Sequence, residues 1–218
     1  MRNTRMMATV LALCAIALVS AVATATASAA LPEQSPATGT FKVTSGKSAF
    51  QLSNEEKVTC TGDTGEGKLT GAKTSESTVK FEGCEALGFK CSSSGAKSGV
   101  IETSIDSTLV YLAKEGKATT TVGEDLQLAK EVSITCLIVK LTVKGSTLCP
   151  LTPINTKTKS LTLTCKQTKG IQEYTEYENE KGEILKDITE TTKSGKTFQS
   201  GLESTESLAL STEGEVKG

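Results

Sequence analysis

The chain reads as an all-β protein, an antiparallel β-sandwich or barrel stapled by disulfides and carrying little helix. Three observations predict this. Many short runs alternate Val, Ile, Leu or Phe with Thr, Ser or Lys, the period-two pattern of half-buried strands. Gly-containing and polar turns break these runs at the close, regular spacing of a multi-stranded β-domain. No segment sustains apolar residues at i, i+3, i+4 and i+7 for a dozen residues.

The elements follow in order. Residues 30–40 carry Pro32 and Pro36 and read as a leader ahead of a single domain, 41–218. Phe41-Lys42-Val43, Phe50-Gln51-Leu52 and Lys57 to Thr61 are short alternations. Lys68-Leu69-Thr70 and Thr78 to Glu82 bracket a polar turn and predict a hairpin. Val100 to Ile105 and Thr108 to Leu112, joined by Asp106-Ser107, predict a second. Ala118 to Val122 and Asp125 to Ala129 alternate less cleanly, and Glu124 to Glu131 allows one or two helical turns. Val132 to Val143 is the most apolar stretch and predicts a central strand or two. Leu161 to Cys165 alternates cleanly, Ile171 to Tyr177 and Ile184 to Ile188 flank an Asn-Glu-Lys-Gly turn, and Leu202 to Val216 closes the sheet.

Residues 1–29 read as a signal peptide. Arg2 and Arg5 form a basic start, Met6 to Ala23 is an apolar run, and Ala27-Ser28-Ala29 suits cleavage at Ala29. Cys14 sits mid-run behind Leu13, which is a poor setting for lipidation. The expected location is therefore extracellular, with association to the cell wall left open and no transmembrane segment in the mature chain. After cleavage no arginine remains. The 24 basic residues lose Arg2 and Arg5, so 22 lysines face 25 carboxylates, a net charge of -3. That balance argues against a nucleic-acid partner.

Six cysteines remain in the mature chain: Cys60, Cys84, Cys91, Cys136, Cys149 and Cys165. An even set in an exported chain predicts three disulfides, for which 15 connectivities exist. Cys149 and Cys165 flank a hairpin centred near Lys157, which favours their pairing. Cys84 and Cys91 enclose a short loop, and elimination leaves Cys60 with Cys136.

Chemistry-bearing motifs are few. With no His in the chain there is no Ser-His-Asp triad and no His-containing zinc site. Gly62 to Lys68 approaches a phosphate-binding loop, but Leu69 stands where Ser or Thr is needed, and the run alternates as a strand. The acidic stretch Glu173–Glu180 is the best candidate for paired-carboxylate hydrolysis, although Glu176, Glu178 and Glu180 share one face of a strand and read as its solvated side. Tyr174 and Tyr177, three apart on a strand, are expected to face opposite ways. Asp63, Asp106, Asp125 and Asp187 are scattered and match no calcium loop. No catalytic residue, metal site or cofactor is assigned.

The run Val58-Thr59-Cys60-Thr61-Gly62 to Gly67, with Val79-Lys80-Phe81-Glu82-Gly83-Cys84 and Cys91-Ser92-Ser93-Ser94-Gly95-Ala96, resembles an uncharacterised family of small secreted all-β proteins of soil actinobacteria. Thr152-Pro153-Ile154-Asn155 followed by Thr158 to Leu163 is similar to that family too. The resemblance spans roughly Gly39 to Glu215 and implies an exported all-β protein without a transferred catalytic residue. In that family's usual pattern the positions of Cys149 and Cys165 are often not cysteine, and their joint presence here suits a direct bridge.

The resulting expectation is a secreted, non-catalytic β-domain, a binding or structural module at the cell envelope with a cell-wall glycan or an extracellular protein as partner. The alternatives are a secreted inhibitor of extracellular hydrolases, presenting Glu85 to Lys90, and a glycan-active hydrolase using Glu173 to Glu180.

Overall fold

The computed structural model describes residues 32–218, so the signal peptide, Ala29 and the start of the leader lie outside the described residues. Among those residues every regular element is a strand. A short β1 (Glu33–Ser35) precedes eight long staves. The first is β2 (Gly39–Ser45) continued by β3 (Ser48–Leu52), and the second is β4 (Lys57–Cys60) with β5 (Gly62–Leu69). The third is β6 (Thr74–Glu82) with β7 (Glu85–Ala86), and the fourth is β8 (Phe89–Ser93) with β9 (Val100–Lys114). The fifth is β10 (Lys117–Leu128) with β11 (Val132–Cys136), and the sixth is β12 (Val139–Thr152). The seventh begins as β13 (Thr158–Cys165). An insertion then holds β14 (Gln167–Thr168), β15 (Ile171–Gln172), β16 (Glu176–Glu178) and β17 (Ile184–Lys186), after which β18 (Thr189–Lys193) resumes the stave. The eighth is β19 (Lys196–Lys217).

Each stave pairs antiparallel with the next. The eighth returns to the first, with Glu206 opposite Ser45 and Ser200 opposite Leu52. The sheet is thus a closed up-and-down barrel, in which only neighbours in sequence are neighbours in space apart from the closing seam. Eight strands leave an interior that side chains can nearly fill. Two clusters fill it. Phe41, Val43, Leu151, Leu163 and Leu208 belong to the upper one, and Val58, Ile101, Ile134 and Leu141 to the lower. The lower end carries the turns at 53–56, 87–88, 137–138 and 194–195; the upper end carries those at 70–73, 115–116 and 153–157, together with β1 paired to the end of β19.

Three local readings are corrected. Asp106-Ser107 is no turn: β9 runs unbroken from Val100 to Lys114, with Ser107 buried and Asp106 exposed, so the polar pair alternates as any strand does. Glu124 to Leu128 is strand rather than helix, because Val122 and Leu126 alternate toward the core. Part of the stretch read as a leader is ordered structure, since Glu33–Ser35 adds a short strand to Glu215–Lys217.

The disulfides are Cys60–Cys84, Cys91–Cys136 and Cys149–Cys165, with Cα separations of 4.0, 4.1 and 4.7 Å. Cys60–Cys136 and Cys84–Cys91 are therefore both overturned, and strand order supplies the reason. Cys60, Cys84, Cys91 and Cys136 lie in one row across staves two to five, as the registers Thr59↔Glu85, Glu85↔Lys90 and Cys136↔Cys91 require. The ends of that row are three strand spacings apart, roughly 14 Å, far beyond disulfide reach. Cys84 and Cys91 do face each other, but as a hydrogen-bonded pair, Cys91 N–H donating to Cys84 C=O at 2.8 Å. Such pairs hold their Cα atoms farther apart than the alternate positions do. All three bridges cross a single seam, between staves two and three, four and five, and six and seven.

Candidate functional site

Two features are not explained by packing alone. The first is at the lower end. The 87–88 and 137–138 turns are neighbours there, because β8 pairs with β11. They expose Leu87 (97%), Leu137 (62%) and Ile138 (86%), flanked by the half-covered Phe89 and Val139. Leu87 and Leu137 also adopt left-handed backbone, with φ of 51° and 56°. That region disfavours a bulky side chain and suits Gly or Asn. The turns on the other side of the same rim are polar: Glu56 pairs with Lys193, and Glu55 with Lys169 at 3.7 Å. Two disulfides, Cys60–Cys84 and Cys91–Cys136, anchor the stems of the apolar hairpins. The Glu85 to Lys90 segment is the first of them, a hairpin closed by a 2.6 Å Glu85–Lys90 ion pair, and the cysteines at its base are bridged outward rather than to each other.

The second feature is inside. Asp63, Glu124 and Glu206 project into the upper barrel, and among the described residues no lysine is buried there to face them. The Ser45 hydroxyl donates to Asp63 Oδ2, while Asp63 Oδ1 has no partner. Ser204 donates to Glu206 Oε1 at 3.3 Å. Glu124 and Glu206 line one small interior space of about 20 Å³, with Ser77 and Ser107. Burial pushes Glu124 up to about 7, against the opposing effect of the Ser107 hydroxyl. Burial, then the Asp63 carboxyl, push Glu206 up to about 7, with Glu124 adding to the shift and Ser204 opposing it. Asp63 is raised by burial, with Ser45 holding it back. The sequence reading missed this layer. The signal lay in the period of two, for Glu124 alternates with Val122 and Leu126, and Glu206 with Ser204 and Leu208.

The other sequence candidates are spent on structure. Gly65 and Gly67 of the phosphate-loop look-alike sit in β5, and a Cβ at Gly67 would overlap the Phe41 ring. The acidic stretch belongs to the insertion, which crosses the outside of the barrel. Glu176 accepts the Gly116 N–H at 2.7 Å and meets Lys186 at 3.4 Å; those contacts, the Gly116 bond first, lower its pKa. Glu180 meets Lys73 at 3.4 Å, and Glu173 meets Lys114 at 3.2 Å. Tyr174 and Tyr177 do not face opposite ways. The chain bends between Gln172 and Glu176, and both rings cover Val110, Leu112 and Leu148. Beneath the insertion Asp125 is buried and raised to about 6, first by burial, opposed by Ser146 and reinforced by Asp187.

Among the described residues no group of His, Cys, Asp and Glu is arranged to hold a metal ion, and no helix is long and apolar enough to cross a membrane. Three disulfides suit an oxidising compartment. No protein-family model, curated protein or solved structure matches this chain.

Proposed function

We propose that the chain works outside the cell as a non-catalytic binding module, meeting an extracellular protein of the envelope through its apolar hairpin tip. The observation that carries this reading is the pair Leu87 and Leu137, large apolar residues held in solvent at positions whose backbone disfavours them. Backbone strain retained at an exposed site is a mark of function, and an exposed apolar patch is a mark of contact. The signal-peptide pattern and the disulfides support an extracellular setting. A glycan partner is less well served, because the tip offers few polar groups.

The test is co-sedimentation of the mature protein with isolated envelopes of its host across a salt series. Apolar docking survives salt that screens lysine attraction. The expected result is binding that persists at high salt, that is lost in a Leu87→Asn/Ile138→Thr variant, and that is lost after protease treatment of the envelopes. Equal binding by that variant, or no binding by the wild type, would sink the proposal.

One observation favours a second reading, inhibition of a secreted hydrolase. The Leu87 hairpin is rigid at both stems and offers its tip side chain almost completely. Inhibition of a secreted protease that disappears with Leu87→Asn would move this reading ahead.

A further inference from the structure

Between the two apolar clusters the barrel interior is not full. A cavity of about 100 Å³ lies there, walled by Phe50, Phe81, Ile101, Leu126, Ile134 and Val143 among other side chains. Its lining is almost entirely apolar. One group in the wall stands out. Thr103 is 8% exposed, and its Oγ1 finds no hydrogen-bond partner within the protein. The other threonines that reach the cavity are satisfied: Thr189 and Thr147 hydroxyls lie 2.8 Å apart, and Thr189 donates to the Ser146 carbonyl at 2.6 Å. A buried hydroxyl without a partner is destabilising relative to one that is paired. An isosteric Val would avoid that penalty.

We infer that this cavity is a binding site for a small uncharged molecule, an apolar body of about four to six heavy atoms carrying one hydroxyl or carbonyl that pairs with Thr103. The size follows from volume, since an apolar cavity of about 150 Å³ accepts benzene. The polarity follows from the buried, unpartnered Thr103 hydroxyl. The charge follows from the neighbours. Ile105 and Leu126 line both this cavity and the space holding Glu124 and Glu206, so an anion would sit against carboxyls, and a cation would be stripped of water in an apolar chamber. An approach path is also present. Ser48 and Cys60 belong both to the cavity wall and to an outer groove bordered by Lys47 and Lys57. Beside them the ladder between the first two staves is interrupted, its pairs resuming only at Ser45↔Asp63 and Ser48↔Cys60. A small molecule needs only a brief opening of that seam.

The test uses two probes on the mature protein, isobutanol and xenon, followed by NMR titration of the backbone amides. Xenon reports an accessible apolar cavity, and isobutanol adds the hydroxyl. Both are expected to shift amides around Thr103, Val143 and Leu202. Thr103→Val should weaken isobutanol about fivefold, one hydrogen bond's worth, leave xenon unchanged and raise the melting temperature. Val143→Phe should abolish both. If Val143→Phe fails to fold, the Thr103→Val pair of titrations still decides. No shift with either probe, or isobutanol binding that ignores Thr103→Val, overturns the assignment.

Discussion

Below the level of Ser45 and Asp63 the barrel interior is mostly hydrocarbon and disulfide, and its polar groups are uncharged hydroxyls such as Thr103, Thr191 and Ser200. It holds Val58, Ile134, Leu141 and Val143, two of the three bridges, and a space left unfilled. Above that level the same staves turn inward Asp63, Glu124 and Glu206, each beside a serine, and one bridge. The backbone is alike in the two halves, for the ladders run nearly unbroken through both. The difference lies in how each half is held. The lower half has imperfect packing and is cross-linked on two seams, with one unbridged seam between them. The upper half packs more fully but carries groups that resist ionisation. Closing a sheet removes water from its interior without deciding what replaces it, so one barrel can be covalently braced at one end and pH-sensitive at the other.

The comparison can be broken most directly by cutting bridges. Replacing Cys91 and Cys136 by Ala releases a separation of 45 residues, and replacing Cys149 and Cys165 one of 16. Loop-closure entropy puts the losses at about 4 and about 3 kcal/mol. Urea midpoints for the two double variants should fall in that order, and equal losses would erase the distinction between the halves.

The next effect belongs to the upper half and should depend on pH. Glu124 and Glu206 have folded pKa values of about 7 against an ordinary 4.5. The folded state therefore holds their protons more tightly. The stability this brings is complete below about pH 4.5 and is lost as pH rises through about 7. Urea unfolding should show a barrel more stable at pH 5 than at pH 8. Glu206→Gln alone should add about 3 kcal/mol at pH 8, add less than about 1 kcal/mol at pH 5, and so reduce the steepness of the profile by about half. A flat wild-type profile would remove the pH-sensitive half of the comparison.

A smaller effect should appear outside the barrel. Asp125 lies under the insertion with a pKa raised from 3.8 to about 6. Its contribution is present below about pH 4 and is lost as pH rises through about 6. Asp125→Asn should stabilise the insertion by about 2–3 kcal/mol at pH 7, read as slower hydrogen exchange at 173–188 with the barrel staves unchanged. Slower exchange throughout the barrel would mean that the insertion is part of the global unfolding unit. Smallest of all, Leu87→Asn should gain up to about 1 kcal/mol by relieving its left-handed backbone, even as it removes the proposed contact. A loss of stability would show that Leu87 is packing and not display.

The all-β class was legible because period two survives almost everywhere, from Phe41-Lys42-Val43 to Leu208. What failed to show were features that depend on the ring. Asp106-Ser107 has the composition of a turn, and only its neighbours across the seam make it strand. Glu124 and Glu206 stand in the inward register, yet a glutamate in a sequence reads as surface until closure of the barrel encloses it. The cysteine row depends on the order of staves two to five, which no spacing along the chain reveals. The apolar tip was visible in principle, since Leu87-Gly88 and Leu137-Ile138 occupy turns where Asn or Asp before Gly is the common choice.

The row of four cysteines also bears on how the chain corrects its own mistakes. If Cys84 and Cys91 join first, Cys60 and Cys136 are left as free thiols, each beside a sulfur of the wrong bridge and too far apart to join each other. Attack by the Cys60 thiolate on the Cys84 sulfur forms Cys60–Cys84 and expels the Cys91 thiolate, and a two-electron oxidant such as a disulfide of the surrounding compartment then joins Cys91 to Cys136; attack by Cys136 on Cys91 expels Cys84, which the same oxidant joins to Cys60. The misjoined intermediate thus carries its own editors at contact range, and only one arrangement leaves no thiol able to continue. Proofreading of the bridges is built into the order of the strands.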